Sequence, residues 1–166
     1  MAFTNEKYIM FYKNSVFSQF YACNFTVNNQ KFNCCLQYMM YKKALLFHDD
    51  KTAVKILKER KPVIIKQLGR QVHDFNENVW IENREKIVKE GNRAKFTQNK
   101  DLLLDLLSTK GSKLVETNPN DLIWGIGYSE TDPEAFDEKK WRGLNLLGKI
   151  ISDVRDEILS ENSTAN

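Results

Sequence analysis

The chain has 166 residues, of which 42% are hydrophobic and 28% charged, so it is long enough for one domain with a full core that needs neither disulfides nor metals. Its net charge of +3 is too small to indicate nucleic-acid binding by itself and fits a mixed, solvated surface. No run approaches the roughly 18–20 apolar residues of a membrane span, and the N-terminus has no signal-peptide pattern, so we expect a cytoplasmic protein without membrane contact.

A strand pair and then a buried helix are predicted for the first part of the chain. Residues 8–32 are rich in Phe, Tyr, Val and Asn, and VNNQKF is typical of a turn between two short strands. The stretch 34–48 has apolar residues on nearly every side, which predicts a helix buried on most sides. Lys43 lies within this helix, where a buried lysine is costly without a partner. The alternative is that its ammonium reaches solvent along the alkyl stem.

Capping and breaking residues predict the boundaries of the next helices. These boundaries are a start at Asp49 or Asp50, an end at Pro62, a stop or turn at Gly69, an end near Gly91 and a start after Asn99, before Leu102–Leu107.

The last third of the chain is predicted to mix one strand, two loops and a helix. A short strand is predicted at Lys113–Glu116, and a turn with a glycine-bearing loop follows over 118–127. Residues 129–141 are predicted to form a polar surface loop. An amphipathic helix then precedes a tail over 160–166 that we expect to be frayed.

The sequence thus predicts an α+β fold that is mostly helical, with a small sheet formed by the N-terminal segment. It contains no internal repeat and no low-complexity linker. We therefore expect a single domain over 1–166, with a core spanning about 8–159.

The cysteines and histidines do not form a recognisable metal site. Cys34 and Cys35 are adjacent and unsuited to pairing with each other, and Cys23 makes the number odd. Reduced thiols in a cytosolic setting fit best. The chain has no CxxC motif, and His48 and His73 are far apart, so neither a metal nor another cofactor is expected.

Three short stretches contain residues suited to ligand binding, and each also fits a structural role. SVFSQFY, at 15–21, places serines and aromatic residues on a segment that also suits a half-buried strand. NPNDLIWGIG, at 118–127, places Trp124 before two glycines, where a ring can stack on a nucleobase or fill the core. WRGLN, at 141–145, is by itself typical of a helix start.

Together with four further motifs, these stretches resemble the NADAR (YbiA-like) family from about Phe11 to Arg155. The family's serine–phenylalanine–serine segment is similar to SVFSQFY, and its EHYMQxxKA helix is similar to LQYMMYKKA. GRQVHDFNENVW, NRAKFTQN and LLSTKGSKLVE then follow in the family's order, and DLIWGIG and WRGLNLLG complete it. Seven ordered motifs at compatible spacing imply the YbiA-like fold.

The resemblance implies an N-glycosidase, which hydrolyses the bond between ribose C1′ and a nitrogen. Two substrate classes are associated with the family: ADP-ribose attached to guanine bases in nucleic acid, and ribosylamino-pyrimidine phosphates of riboflavin biosynthesis. The mild positive charge favours the first class, so ADP-ribose or ADP-ribosylated guanosine is the expected partner, without an obligate protein partner. Either substrate reacts through an oxocarbenium-like transition state, which a carboxylate near C1′ stabilises while activating water.

At position 36 the chain departs from the family, because the family's catalytic glutamate is replaced by Leu36. The family's lysine is retained as Lys43, on the same helix face about 10.5 Å farther along the axis. It would hold a ribose hydroxyl or phosphate, assist the leaving group, or form a Schiff base with an opened ribose. Because leucine cannot stabilise an oxocarbenium ion, we expect a catalytically impaired form. A designed substitution that traps ligand and a natural, non-catalytic ADP-ribose-binding protein are both open explanations.

The resemblance also implies a set of ligand-binding residues. They are Ser15, Phe17, Ser18, Trp80, Asp121, Trp124, Gly125, Gly127, Trp141 and Asn145. Trp80 and Trp124 are expected to stack on the base or sugar, and Asp121 to accept hydrogen bonds from it. The two loop glycines would bring backbone N–H groups against a phosphate. A core role is the main alternative for Trp80 and Phe17.

Overall fold

The computed structural model describes residues 4, 5 and 7–164, with side chains described for 7–164. Its strands are β1 (Thr4–Asn5), β2 (Tyr8–Phe11), β3 (Phe25–Val27), β4 (Gln30–Phe32) and β5 (Lys113–Glu116). Its α-helices are α1 (Cys35–Leu46), α2 (Asp50–Lys58), α3 (Pro62–Arg70), α4 (Glu77–Gln98), α5 (Lys100–Leu107) and α6 (Leu146–Thr164). The predicted α+β class is confirmed, with helices predominating. Within the described residues, every helix is too short or too polar to cross a bilayer.

The described chain divides into two compact units, which we call the helical unit and the sheet unit. The helical unit is the continuous segment Gln19–Lys100. The sheet unit combines the residues up to Ser18 with those from Asp101 onwards.

The helical unit is built around α1, which is buried on most sides as the sequence predicts. It packs against α2, α3 and α4, and its buried residues are Cys35, Leu36, Gln37, Tyr38, Met39, Met40 and Ala44. The predicted hairpin is confirmed, because β3 and β4 pair antiparallel. The turn residues Asn28 and Asn29 have φ of 49° and 64°, the left-handed backbone that a tight hairpin turn requires.

Of two predicted helix boundaries, the one at Asp49 is confirmed and the one at Pro62 is not. Asp49 caps α2 by accepting a hydrogen bond from the N–H of Thr52, as predicted. Pro62, expected to end a helix, is instead the first residue of α3. A backbone N–H at that position makes no hydrogen bond within the helix, so a proline there removes none.

A helix stop or turn was predicted at Gly69 and a helix end near Gly91. The first prediction is one residue early, because α3 ends at Arg70, and the second is wrong. Gly69 lies in the last turn of α3, and Gly91 lies in the middle of α4, which continues to Gln98. A Cβ on Gly69 would collide with the side chain of Met40, and a Cβ on Gly91 would lie 2.7 Å from Cδ1 of Tyr38. Both glycines therefore allow a neighbouring helix to approach α1 closely.

The sheet unit contains a three-stranded sheet in the order β1–β2–β5. β1 runs antiparallel to β2, whereas β5 runs parallel to β2, with Tyr8 opposite Lys113 and Phe11 opposite Glu116. The prediction that the sheet comes from the N-terminal segment is therefore incomplete, because β5 also belongs to it. A strand was predicted at the position of β5, but its pairing with β2 was not. α6 packs on β5, and a core cluster is formed by Tyr8, Met10, Val115, Ile126 and Ala135.

Two further predictions for the sheet unit need correction. The expected polar loop at 129–141 contains short 3₁₀ helices at Pro133–Phe136 and Glu138–Lys140, and it buries Ala135 completely. The tail expected to fray from residue 160 continues α6 to Thr164, whose hydroxyl donates to the carbonyl of Glu161. Residues 165 and 166 lie outside the described part of the chain.

Candidate functional site

The residues singled out in the sequence fall on both units. The helical unit carries Leu36, Lys43 and Trp80. The sheet unit carries Ser15, Phe17, Ser18, Asp121, Trp124, Gly125, Gly127, Trp141 and Asn145.

The partner of Lys43 is a backbone carbonyl together with two aromatic rings. Its Nζ donates a hydrogen bond of 2.8 Å to the carbonyl of Gly69, in the last turn of α3. The same Nζ lies 4.6 Å from the ring centroid of Phe75 and 5.7 Å from that of Trp80. A helix C-terminus and aromatic faces both stabilise a cation. The predicted alternative of a lysine extended into solvent therefore does not describe Lys43.

The same surroundings lower the pKa of Lys43 from its ordinary value. Burial is the main cause because it disfavours the charged ammonium, and the positive charge of Arg70 adds to it. Lys43 is half-buried, so its ammonium is neither fully desolvated nor freely hydrated. An amine of this kind can serve as a cationic contact or exchange a proton with a ligand.

Leu36 is buried in the first turn of α1, with 4% of its surface exposed. Its N–H donates to the carbonyl of Gln19, which satisfies one of the free donors at the start of the helix. The Gln19 amide accepts a hydrogen bond from Asn92 and contacts the sulfur of Met39 at 3.5 Å. Leu36 thus lies in a first helical turn that borders a buried polar network.

Trp80 is 9% exposed within α4, so it has a packing role as well as its contact with Lys43. Sequence reasoning missed Phe75, the nearer of the two rings to the ammonium. Its motif, GRQVHDFNENVW, was recognised, but Phe75 lies in the loop before α4, five positions before Trp80, and spacing across a loop predicts no contact.

In the sheet unit, Asp121 organises the loop that carries Trp124. Its Oδ1 accepts hydrogen bonds from the N–H groups of Ile123 and Trp124, each at 2.9 Å. Trp124 is half-buried, and its carbonyl accepts from the N–H of Leu147. The loop is therefore held at a fixed geometry by its own aspartate.

Gly127 and Asn145 form hydrogen bonds inside the protein with the polar groups from which ligand contacts were expected. Gly127 has φ of 77°, and its N–H donates to the carbonyl of Asn118, so this group is not available to a phosphate. Asn145 is fully buried. Its Oδ1 accepts a hydrogen bond from the N–H of Glu116, and its Nδ2 donates one to the carbonyl of Leu114. Asn145 therefore joins the start of α6 to β5.

Gly125 and Trp141 are likewise tied to their surroundings. The carbonyl of Gly125 accepts from the N–H of Asn145, and a Cβ at Gly125 would lie 3.1 Å from the Asp121 carbonyl. The indole of Trp141 donates to the carbonyl of Ala135, and its ring packs against Tyr8 at 5.8 Å.

The serines of SVFSQFY lie in a turn, not in the strand that was considered for them. Ser15 Oγ accepts from the N–H of Phe17, and the Ser15 carbonyl accepts from the N–H of Ser18. Phe17 and Ser18 are buried, whereas Ser15 lines a cavity of about 350 Å³ together with Met10–Asn14 and Glu130. Of Ser15, Phe17 and Ser18, Ser15 is thus the one that is partly exposed.

Within residues 7–164, the structure brings together no His, Cys, Asp and Glu group that could hold a metal ion. Burial raises the pKa of the Cys35 thiol to about 12 and raises those of Cys23 and Cys34 as well. The thiols are therefore protonated near neutral pH and poor nucleophiles.

Comparison with known proteins gives several extended matches. The family described as NADAR domain matches residues 3–159. N-glycosidase R617 of Acanthamoeba polyphaga mimivirus is 42% identical over 164 residues, which cover 92% of this chain and 96% of the relative. Riboflavin biosynthesis protein VVA0006 of Vibrio vulnificus is 27% identical over 157 residues, which cover 92% of this chain and 39% of that protein.

The structural match agrees with the sequence matches. N-glycosidase YbiA of Escherichia coli K12 is 28% identical over 145 residues, or 87% of this chain and 82% of the relative. The NMR structure of E. coli YbiA superimposes with a TM-score of 0.78 at 27% identity, covering 97% of this chain and 90% of that chain. On the extent of these matches, the chain belongs to the NADAR family.

Proposed function

We propose that this chain is an N-glycosidase-family protein that binds ADP-ribose-like ligands through Lys43, and that its parent activity removes ADP-ribose from guanine bases in nucleic acid. The observation that carries the proposal is the ammonium of Lys43, held against the Gly69 carbonyl and two aromatic rings. An ammonium has three N–H donors, and Gly69 takes one of them. The others can bind ribose hydroxyl or phosphate oxygens.

The reaction replaces the ribose C1′–N bond by a bond from C1′ to water oxygen. The leaving base nitrogen takes the bonding electron pair and a proton, while the attacking water loses a proton. A carboxylate near C1′ accelerates both events by stabilising the positive charge on the sugar and by accepting the water proton. Leu36 can do neither. Since general acid–base groups contribute about 10²–10⁴-fold, the chain as given is a ligand-binding form with little turnover.

Two observations bear on the choice of substrate, one for each candidate. The net charge of +3 favours a substrate attached to polyanionic nucleic acid over a free pyrimidine phosphate, though only slightly. In favour of the second candidate, a relative is named a riboflavin biosynthesis protein. Hydrolysis of ribosylamino-pyrimidine phosphates is therefore the alternative activity.

The test is base release by the chain as given and by its Leu36→Glu and Leu36→Gln variants. Each is incubated with an ADP-ribosylated guanine oligonucleotide and with a ribosylamino-pyrimidine phosphate. We expect Leu36→Glu to release base from the oligonucleotide about 10²–10⁴-fold faster than the other two. Leu36→Gln controls for size and polarity because it carries no carboxylate.

The folding of these variants is measured first, because Leu36 is buried. A buried carboxylate costs desolvation, so Leu36→Glu should melt below the unaltered chain in the absence of ligand. A folded Leu36→Glu protein that releases no more base than Leu36→Gln from either substrate contradicts the catalytic assignment. Release from the pyrimidine substrate alone selects the alternative activity.

A further inference from the structure

Phe75 is a large apolar side chain that remains 46% exposed beside a half-buried lysine. Its ring centroid lies 4.6 Å from Nζ of Lys43 and 5.4 Å from the ring of Phe47, which it meets edge-on. These two contacts cover part of the surface of the Phe75 side chain. Nearly half of it stays accessible.

The backbone around Phe75 is fixed on both sides of the residue. On the N-terminal side, Asp49 accepts a hydrogen bond of 3.0 Å from the N–H of His73 while it also caps α2. On the C-terminal side, Asn76 caps α4 by accepting from the N–H of Val79. The exposed ring is therefore presented by a segment that its neighbours hold in place.

Asp74, immediately before Phe75, adopts φ of 55°, a left-handed conformation that Asp adopts more readily than most residues with a Cβ. Aspartate is common at such turn positions. Here it turns the chain between the two anchored residues and sets the direction in which Phe75 leaves the backbone.

An aromatic face and an ammonium side by side suit a ligand that is both planar and anionic. A nucleotide has this combination, because its base can stack on a ring while its phosphate or ribose oxygens accept from an amine. A phosphorylated sugar without a base could use only the amine.

We propose that Phe75 is a specificity-determining residue that stacks on the purine base of the ligand whose oxygens bind Lys43. The inference rests on the proposed function, because it takes Lys43 to be a ligand contact. Phe75 confers preference for base-bearing ligands, whereas Lys43 binds ligands with and without a base.

The experiment compares two probes, ADP-ribose and ribose 5-phosphate, on folded variants, with binding followed by calorimetry or by NMR chemical shifts. Phe75→Leu keeps an apolar side chain but removes the aromatic face, and Phe75→Trp enlarges that face. Phe136→Ala is the control, since Phe136 is 41% exposed and belongs to the sheet unit. Lys43→Met tests the proposed function itself.

We expect Phe75→Leu to weaken ADP-ribose binding by about 5- to 150-fold, the range of base–aromatic stacking, and to leave ribose 5-phosphate affinity within about twofold. Phe75→Trp should bind ADP-ribose at least as tightly as the unaltered chain, and Phe136→Ala should bind both probes normally. Lys43→Met should weaken binding of both probes.

Unchanged ADP-ribose affinity in folded Phe75→Leu overturns the stacking role alone. So does an equal loss for both probes, because the ring would then act only by holding Lys43 in place. If the unaltered chain binds neither probe, or if Lys43→Met binds both normally, the proposed function fails and this inference fails with it.

Discussion

The ammonium of Lys43 donates to a backbone carbonyl and faces two aromatic rings, and these groups stabilise its charge. Burial nevertheless lowers its pKa, because neither a carbonyl nor a ring compensates desolvation as fully as an anion does. At the residue scale, the proposed role of this amine therefore predicts that ligand binding depends on pH.

Affinity for ADP-ribose should decline as pH rises through the lowered pKa of Lys43, below its ordinary value of 10.5. The sign follows because deprotonation removes the positive charge that attracts the pyrophosphate. Lys43→Arg should keep its charge throughout, since a guanidinium stays protonated in proteins, and should flatten the decline. Calorimetric titrations from neutral to alkaline pH on the two proteins check this. An identical pH dependence would show that another group titrates.

At the scale of elements, Gly91 shows that close packing can outweigh helix propensity. Within α4, alanine is intrinsically favoured over glycine by about 1 kcal/mol. At this position, however, a Cβ would lie 2.7 Å from Cδ1 of Tyr38, whose hydroxyl is fixed by a hydrogen bond to Glu90. The ring cannot withdraw without losing that bond.

Gly91→Ala should therefore lower the free energy of unfolding by about 1–3 kcal/mol, as overpacked cores do. Urea denaturation measures it, and Glu85→Ala is the control because Glu85 is exposed on the same helix. Combining Gly91→Ala with Tyr38→Leu should cost less than the sum of the two single changes. Strict additivity, or a stabilising Gly91→Ala, would mean that α4 shifts freely away from α1.

Propensity and capping predicted most elements but not the contacts between them. Asp49 at a helix start and the VNNQKF turn carry their signals locally, and both were predicted correctly. Glycine is a local signal of a helix end, yet Gly69 and Gly91 both lie within helices. At each position a side chain of α1 leaves no room for a Cβ. The parallel pairing of β2 with β5 joins residues distant in sequence, which local patterns cannot predict.

For the candidate site, motif order predicted which residues belong to the family pattern but not what each of them contacts. Asn145 and Gly127 were expected to touch ligand, whereas their polar groups are bonded within the sheet unit. Phe75 lay inside a recognised motif without being selected. Such roles depend on tertiary contacts, which the spacing of motifs along the chain does not specify.

At the scale of the whole molecule, acid stability should depend on Asp49. Its carboxylate accepts from the N–H groups of Thr52 and His73, and these hydrogen bonds lower its pKa from 3.8 to about 2, with the His73 bond the larger cause. A carboxyl group with a depressed folded pKa stabilises the protein above its unfolded pKa. This stabilisation is lost as pH falls towards the folded value.

The unaltered chain should thus lose stability between about pH 4 and pH 2 more steeply than Asp49→Asn, which can still cap α2 but does not titrate. Urea unfolding at a series of pH values measures the two slopes. Asp50→Asn is the matched control, because Asp50 is exposed and adjacent. Equal slopes for all three proteins would assign the acid sensitivity to other carboxylates.

The parallel pairing of β2 with β5 also sets an order of events during synthesis. A ribosome delivers the whole of Gln19–Lys100 before it delivers Lys113–Glu116, so the helical unit has its complete sequence while one edge of β2 still has no partner. Unpaired strand edges on nascent chains are sites of aggregation. The interval between translation of Phe11 and translation of Glu116 is therefore when this chain is most exposed to misassembly, and slowing elongation within it should lower the yield of native protein.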